Sequence, residues 1–225
     1  DEAEARAAPP RPAPSMNQAK RALGLMPSAT PQQKRDKAVF ALLCLTGIRV
    51  AALVSLKIKH VDLQEQSVTQ NPREVSTKFG KTIDTFFTKG FEDAEIALAD
   101  WISYCDEVAL YGPDDPLFPA TAIAARSNEG FEACGFTGCH WKTTEPVRTI
   151  VRIAFEAAGI QNYGPHAFRH MLARHAAKHC TSVAELVAAS QNLGHTDVLT
   201  TLRSYGQISR DEQRKLITGH TSDLG

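Results

Sequence analysis

One change of period constrains this chain more than any other feature. From Ser67 to Thr88 the sequence is rich in Val, Thr, Ile and Phe, with turn signals at Asn71-Pro72 and Phe79-Gly80, and it reads as short antiparallel strands. On both sides of that stretch the pattern is helical. Pro31 to Leu45 has Thr30 as N-cap and Pro31 as first helical residue, with Ala38, Leu42 and Leu45 forming an apolar stripe. Gly47 ends or interrupts it, and Val50 to Leu56 follows as a further short helix. Glu92 to Leu110 is expected to be an amphipathic helix that stops before Gly112-Pro113, and Pro146 to Ala158 one that stops at Gly159. His166 to Cys180, Val183 to Gln191 and Asp197 to Tyr205 are expected to be helices too, whereas Asp114 to Cys139 reads as loop apart from a short helix. The predicted fold class is therefore α+β, mostly helical, with one small antiparallel β-sheet and no internal repeat.

The 225 residues are enough to bury a substantial core. Residues 1–15 are rich in Ala and Pro and read as a disordered linker. That places one domain over residues 16–208 and a tail over 209–225. The chain does not start with Met, so it reads as a fragment whose true N-terminus lies upstream. Asp1 to Arg6 is acidic, unlike a signal peptide, and no apolar run approaches the ~20 residues of a membrane span. The 5 cysteines (Cys44, Cys105, Cys134, Cys139 and Cys180) are odd in number and scattered, which argues for free thiols in a reducing compartment. Net charge is zero, but the charges are segregated. Glu92 to Asp115 carries only carboxylates, while Lys142 to Lys178 is mainly cationic, a pattern expected of one acidic and one basic face.

Three segments carry the chemistry: TGIRVAALVSL at 46–56, GPHAFRHMLARH at 164–175 and LGHTDVLTTLRSY at 193–205. Taken singly, each has an ordinary reading: a helix-end arginine, a histidine after Gly-Pro, a histidine in a turn. Arg49, however, is flanked by Val50, Ala51, Ala52 and Leu53, and a charge in such company is expected to point into a polar cleft. Together the segments resemble the signatures of the tyrosine recombinases (phage-integrase type), in the same order and at similar separations. That pattern is an Arg after Thr-Gly-hydrophobic, then His-x-x-Arg, then Leu-Gly-His, then a Tyr roughly nine residues later. Here the last gap, from His195 to Tyr205, is ten, and the resemblance extends from about Pro31 to about Ile208.

The resemblance implies the catalytic-domain fold of the DNA breaking-rejoining enzymes and a role for each matching residue. Arg49 and Arg169 would hold the phosphate, since each guanidinium is always charged and donates two parallel N–H bonds to phosphate oxygens. His166 and His195 would donate to the same oxygens or move the tyrosine proton. Tyr205 would be the nucleophile of a 3′-phosphotyrosine intermediate. Tyr104 and Tyr111 lie in the acidic stretch and Tyr163 just ahead of the His-x-x-Arg turn, so they do not match the motif. A lysine on a hairpin turn would protonate the leaving 5′-oxygen. Lys78, in its Lys-x-Gly context, is the candidate and Lys81 the alternative.

Ala52 departs from the pattern, which often has an acidic residue three positions after the first Arg. The implied partners are double-stranded DNA recombination sites, further copies of the chain as a homo-tetramer on synapsed DNA, and accessory DNA-bending proteins. A separate N-terminal DNA-clamping domain is implied as well, with the 209–225 tail docking on a neighbouring protomer. No cofactor is required, because the phosphotyrosine conserves the bond energy, and a cytoplasmic, DNA-associated location is expected. Two other classes compete. One is a catalytically silent DNA-binding module of the same fold. The other is a metal protein built on His166/His170, His175/His179 or the Cys134, Cys139 and His140 group, although HAFRH lacks the Glu of a metalloprotease helix.

Overall fold

Two helices at the start of the domain owe their boundaries to reciprocal caps. The computed structural model describes residues 12–77, 80, 82–126, 130–195, 213–214 and 217–218. Helix α1 (Met16–Leu25) opens where Gln18 N–H donates to Ser15 Oγ and Ser15 N–H to Gln18 Oε1. Helix α2 (Pro31–Thr46) opens on the same box formed by Thr30 and Gln33, with Pro31 in the first turn. Each box satisfies N–H groups that the first helical turn leaves without partners. The Ser15 box was legible in the sequence, yet α1 is not among the expected helices.

Every residue of α2 from Ala38 to Thr46 is buried. A helix apolar on all sides belongs at the centre of a fold, and the other elements surround it. After α2 come a four-residue helix, α3 (Val50–Leu53), and a 3₁₀ turn at Ile58–His60. Helices α4 (Glu92–Glu107), α5 (Glu145–Ala157) and α6 (His166–His179) pack around α2, and α7 (Val183–Asn192) packs on α6. Phe40 of α2 meets the rings of Phe155 and Phe168 edge-on, at 5.5 and 5.0 Å between centroids. Trp101 of α4 is fully buried and donates its indole N–H to Leu117 O at 2.7 Å.

The expected strands between Ser67 and Thr88 are present as β2 (Ser67–Gln70) and β3 (Ile83–Phe86), preceded by a two-residue β1 (Val61–Asp62). All three are antiparallel in the order β1-β2-β3, with Val68 opposite Thr85. A second sheet corrects the reading of Asp114 to Cys139 as loop. This stretch contains β4 (Pro119–Arg126) and β5 (Gly130–His140), a long hairpin with two register shifts along it. Its composition hid it, because Ala and Gly are poor strand formers. A long-range anchor compensates. Arg35 of α2, 5% exposed, donates to Pro119 O and Thr121 Oγ1 and lies between the rings of Phe136 and Trp141. Two helix ends were overextended in the sequence reading: α3 stops at Leu53, not Leu56, and α4 at Glu107, not Leu110. The expected helix at Asp197–Tyr205 lies outside the described residues.

Candidate active site

Thr46 to Arg49 turn the chain out of α2 and towards α6. Thr46 Oγ1 donates to Leu42 O at 2.6 Å and accepts from Ile48 N–H at 3.1 Å. Gly47 is left-handed (φ +55°), and a Cβ there would lie 3.3 Å from the Arg169 Cα and 3.2 Å from Leu172 Cδ1. Glycine is thus required both for the backbone angle and for the approach of α6. That approach brings Gly47 O within 2.9 Å of Arg169 Nη1.

Arg169 is 4% exposed and sits one turn into α6. Its other terminal nitrogen donates to Leu193 O, in the turn that follows α7. Arg49, half-buried at the N-terminus of α3, reaches the same turn from the other side, with Nη2 3.4 Å from Gly194 O. The turn closes on itself through Gly194 N–H to Gln191 O (2.7 Å) and His195 N–H to Ser190 O (3.0 Å). Gly194 is again left-handed (φ +62°), confined between Arg49 and Ile83 of β3. Residues about 120 and 145 positions apart are therefore joined through backbone carbonyls.

The electrostatics of this cluster are one-sided. Burial, and then the nearby Arg49 charge, bring the Arg169 guanidinium down to about 10, and burial also lowers Arg49. Burial pushes His195 down to about 4, followed by the charges of Arg169, Arg49, His166 and His170. The charge acting on Arg169 among the described residues is that of Arg49, and both guanidiniums act on His195. Among the described residues, both guanidiniums donate to backbone carbonyls and neither meets a carboxylate. A buried cation normally carries its own counter-ion. This arrangement instead offers charge and N–H donors to an anion from outside. The exposed His166 opens α6 beside it, its ring 4.8 Å from and edge-on to that of His170.

Arg49, His166, Arg169 and His195 are thus brought together, with Arg49 half-buried beside the carbonyl of Gly194. Lys78, Lys81 and Tyr205 lie outside the described residues. The competing tyrosines are engaged elsewhere: Tyr104 stacks on Trp101, Tyr163 meets Phe155 edge-on, and burial raises Tyr111. Ala52 is 1% exposed and packs in the core, so a methyl group stands where the resembling pattern often has a carboxylate. Cys134 and Cys139 are exposed on β5, not clustered in a loop, and no group of three or more metal-capable side chains forms among the described residues. The expected basic face is interrupted, because Arg169 is internal and Arg152 pairs with Glu156.

Two residues escaped the sequence reading. Ser55 Oγ donates to Ala52 O and accepts from Ser76 N–H at 2.9 Å, tying α3 to the segment just before Lys78. Asn192 joins α7 to β3 through both amide atoms. Neither link between elements gives a sequence signal, because Ser76 N–H and the Phe86 backbone are distant in the chain from the side chains they meet.

Against known proteins, the family model described as "Phage integrase family" matches residues 15–212. The tyrosine recombinase XerD of Haemophilus influenzae is 27% identical over 187 residues, covering 83% of this chain and 54% of the relative. The tyrosine recombinase XerC of Bifidobacterium longum is 29% identical over 185 residues, covering 81% and 46%. The chain therefore spans about half the length of these curated relatives. Among solved structures, XerA recombinase superposes with a TM-score of 0.64 at 24% identity, covering 96% of this chain and 66% of that one. A lambda integrase dimer bound to a COC′ core site gives 0.56 at 18%, covering 92% and 64%. These likenesses establish the recombinase catalytic-domain fold.

Proposed function

The chain belongs to the phage integrase family, and from that premise we propose that it cuts and rejoins double-stranded DNA at specific sites through Tyr205. The observation that carries this reading is the pair of guanidiniums, buried Arg169 and half-buried Arg49, gathered with the His195 turn from three remote segments and, among the described residues, donating to backbone carbonyls and not to a carboxylate. A strand phosphate would supply the missing charge. In the displacement its equatorial oxygens gain negative charge, which fixed N–H donors stabilise without reorganising.

The Tyr205 oxygen attacks phosphorus as its phenol proton is lost, with His166 or His195 helping to move that proton. The new P–O bond replaces the bond to the 5′-oxygen, which departs with a proton from Lys78, or from Lys81 if the hairpin register is shifted. Attack by a 5′-hydroxyl reverses these steps and releases the tyrosine, so no external energy source enters. We assign residues 16–208 to this catalytic domain, 1–15 to a linker and 209–225 to a tail that docks on a neighbouring protomer. The partners are recombination sites held by four copies of the chain, with DNA-bending accessory proteins, inside the cell. Support for a DNA partner comes from relatives solved as DNA complexes, such as the lambda integrase dimer. No helix among the described residues is long and apolar enough to cross a membrane.

The test uses nicked suicide duplexes tiled across the DNA that flanks the protein's own gene. Wild-type full-length protein is expected to leave an SDS-stable protein–DNA band, and Tyr205→Phe to bind the same duplex without one. A band that persists in Tyr205→Phe would remove Tyr205 from its role. Binding without a band in wild type would favour the silent module.

A further inference from the structure

A sheet edge and a helix end are joined here by one carboxamide. Strand β3 is the outer strand of its sheet, so its outward N–H and C=O groups need partners other than a strand. The Phe86 N–H donates to Asn192 Oδ1 at 2.6 Å, and Phe86 O accepts from Asn192 Nδ2 at 2.9 Å. Of the common side chains, only an amide presents an acceptor and a donor side by side, as a neighbouring strand would.

Asn192 is the last residue of α7, and the next three residues form the turn of the candidate site. Leu193 O accepts from Arg169, Gly194 O accepts from Arg49, and His195 closes the turn. Beside the amide pair, Ile83 of β3 packs on Gly194 so closely that a Cβ there would meet Ile83 Cδ1 at 3.1 Å. The β3 edge is therefore a shelf on which the turn rests, and Asn192 fastens the two together.

We propose that Asn192 is a positioning residue: its carboxamide fixes the end of α7 to the β3 edge, and so holds in register the turn that presents His195 and receives Arg49 and Arg169. Its effect on activity rests on the DNA-cleaving reading above. Its effect on the turn does not. Asn192 is half-buried and Phe86 exposed, so water can replace both hydrogen bonds when the amide is removed, and the fold should persist.

The test compares Asn192→Ala with Thr69→Ala in the full-length protein. Thr69 donates to Asp84 Oδ1 at 2.8 Å across the exposed face of the same hairpin, away from the turn. Asn192→Ala should speed hydrogen exchange at the Phe86 amide and raise the His195 titration midpoint, followed by NMR, by at least about one unit as the ring leaves its half-buried place beside the guanidiniums. On the nicked flanking duplexes it should slow adduct formation roughly 10- to 100-fold, the usual cost of misplaced reacting groups. Thr69→Ala should do none of these. The proposal is overturned if Asn192→Ala keeps the wild-type His195 midpoint, if its adduct rate stays within about twofold of wild type on the same scale of expected loss, or if Thr69→Ala shifts the midpoint equally. Should wild type form no adduct on any duplex, the DNA-cleaving reading fails alone, and the two NMR measurements still decide the role of Asn192 in the turn.

Discussion

Two buried arginines in this chain live under opposite rules. Arg35, at the start of α2, is 5% exposed and fully occupied. Its Nε and Nη2 donate to Asp36, its Nη1 to Pro119 O and Thr121 Oγ1, and its faces cover Phe136 and Trp141. Arg169, in α6, is as deeply buried at 4%, but among the described residues it meets two carbonyls, and the charge acting on it is that of Arg49. A guanidinium with its own carboxylate and aromatic walls serves the fold, here by anchoring the β4–β5 hairpin. One that carries the desolvation penalty without a counter-ion is available to an anion from outside. Burial alone does not separate the two; the sign of the neighbouring charge does.

The sharpest way to break this contrast is to exchange guanidinium for ammonium. Arg169→Lys keeps the charge but loses the planar two-point contact. Adduct formation should fall by about 10²–10³, the usual loss for one transition-state donor. Retained cleavage within a few-fold on the suicide duplex would assign Arg169 to the fold, as Arg35 is. Arg35→Met should do the reverse. It removes charge-assisted hydrogen bonds and leaves Asp36, whose carboxyl burial already raises, without the Arg35 charge that opposes that rise. A loss of about 3 kcal/mol is expected in urea unfolding, while adduct formation per folded molecule stays near wild type. Equal damage to both properties would merge the two sites into one.

Acid should produce a smaller effect, which at the candidate site acts through His195. His195 is held near 4 in the folded chain by burial and by Arg169, Arg49, His166 and His170, against an ordinary 6.5. As pH falls below 6.5 the unfolded chain takes up this proton first, so the native state loses stability towards pH 4. Above 6.5 the contribution is complete. Lowered His140 and His175 act in the same direction, so the comparison is between wild type and His195→Gln. The variant should show a shallower fall in melting temperature across the window, and identical slopes would mean that the His195 ring is not held in a half-buried place beside the guanidiniums.

Much of this was legible in the residues. The Thr30-Pro31 start and Gly47 stop of α2, the Gly159 stop of α5 and the placement of β2 and β3 follow from local rules of capping, backbone angle and alternation. Those rules act within a few residues, so they survive without the rest of the fold. The three motif segments likewise named Arg49, His166, Arg169 and His195 in advance. The β4–β5 hairpin was missed for the opposite reason: in PATAIAAR the strand-favouring Thr121 and Ile123 are outnumbered by Ala and Pro, and the anchor of the hairpin is an arginine some 85 positions away. The same holds for Asn192, whose partners are the backbone atoms of Phe86.

By itself, then, the sequence determined which residue types were available for phosphate chemistry and placed most of the helices and the β2–β3 strands, because periodicity and caps are short-range. Only the tertiary structure decided that, among the described residues, Arg169 meets carbonyls while Arg35 meets a carboxylate. It also decided that Gly47 and Gly194 must be glycine to let Arg169, Arg49 and Ile83 close in. The charge next to a buried side chain is set by what packs against it from elsewhere in the chain, and no local pattern records that neighbour.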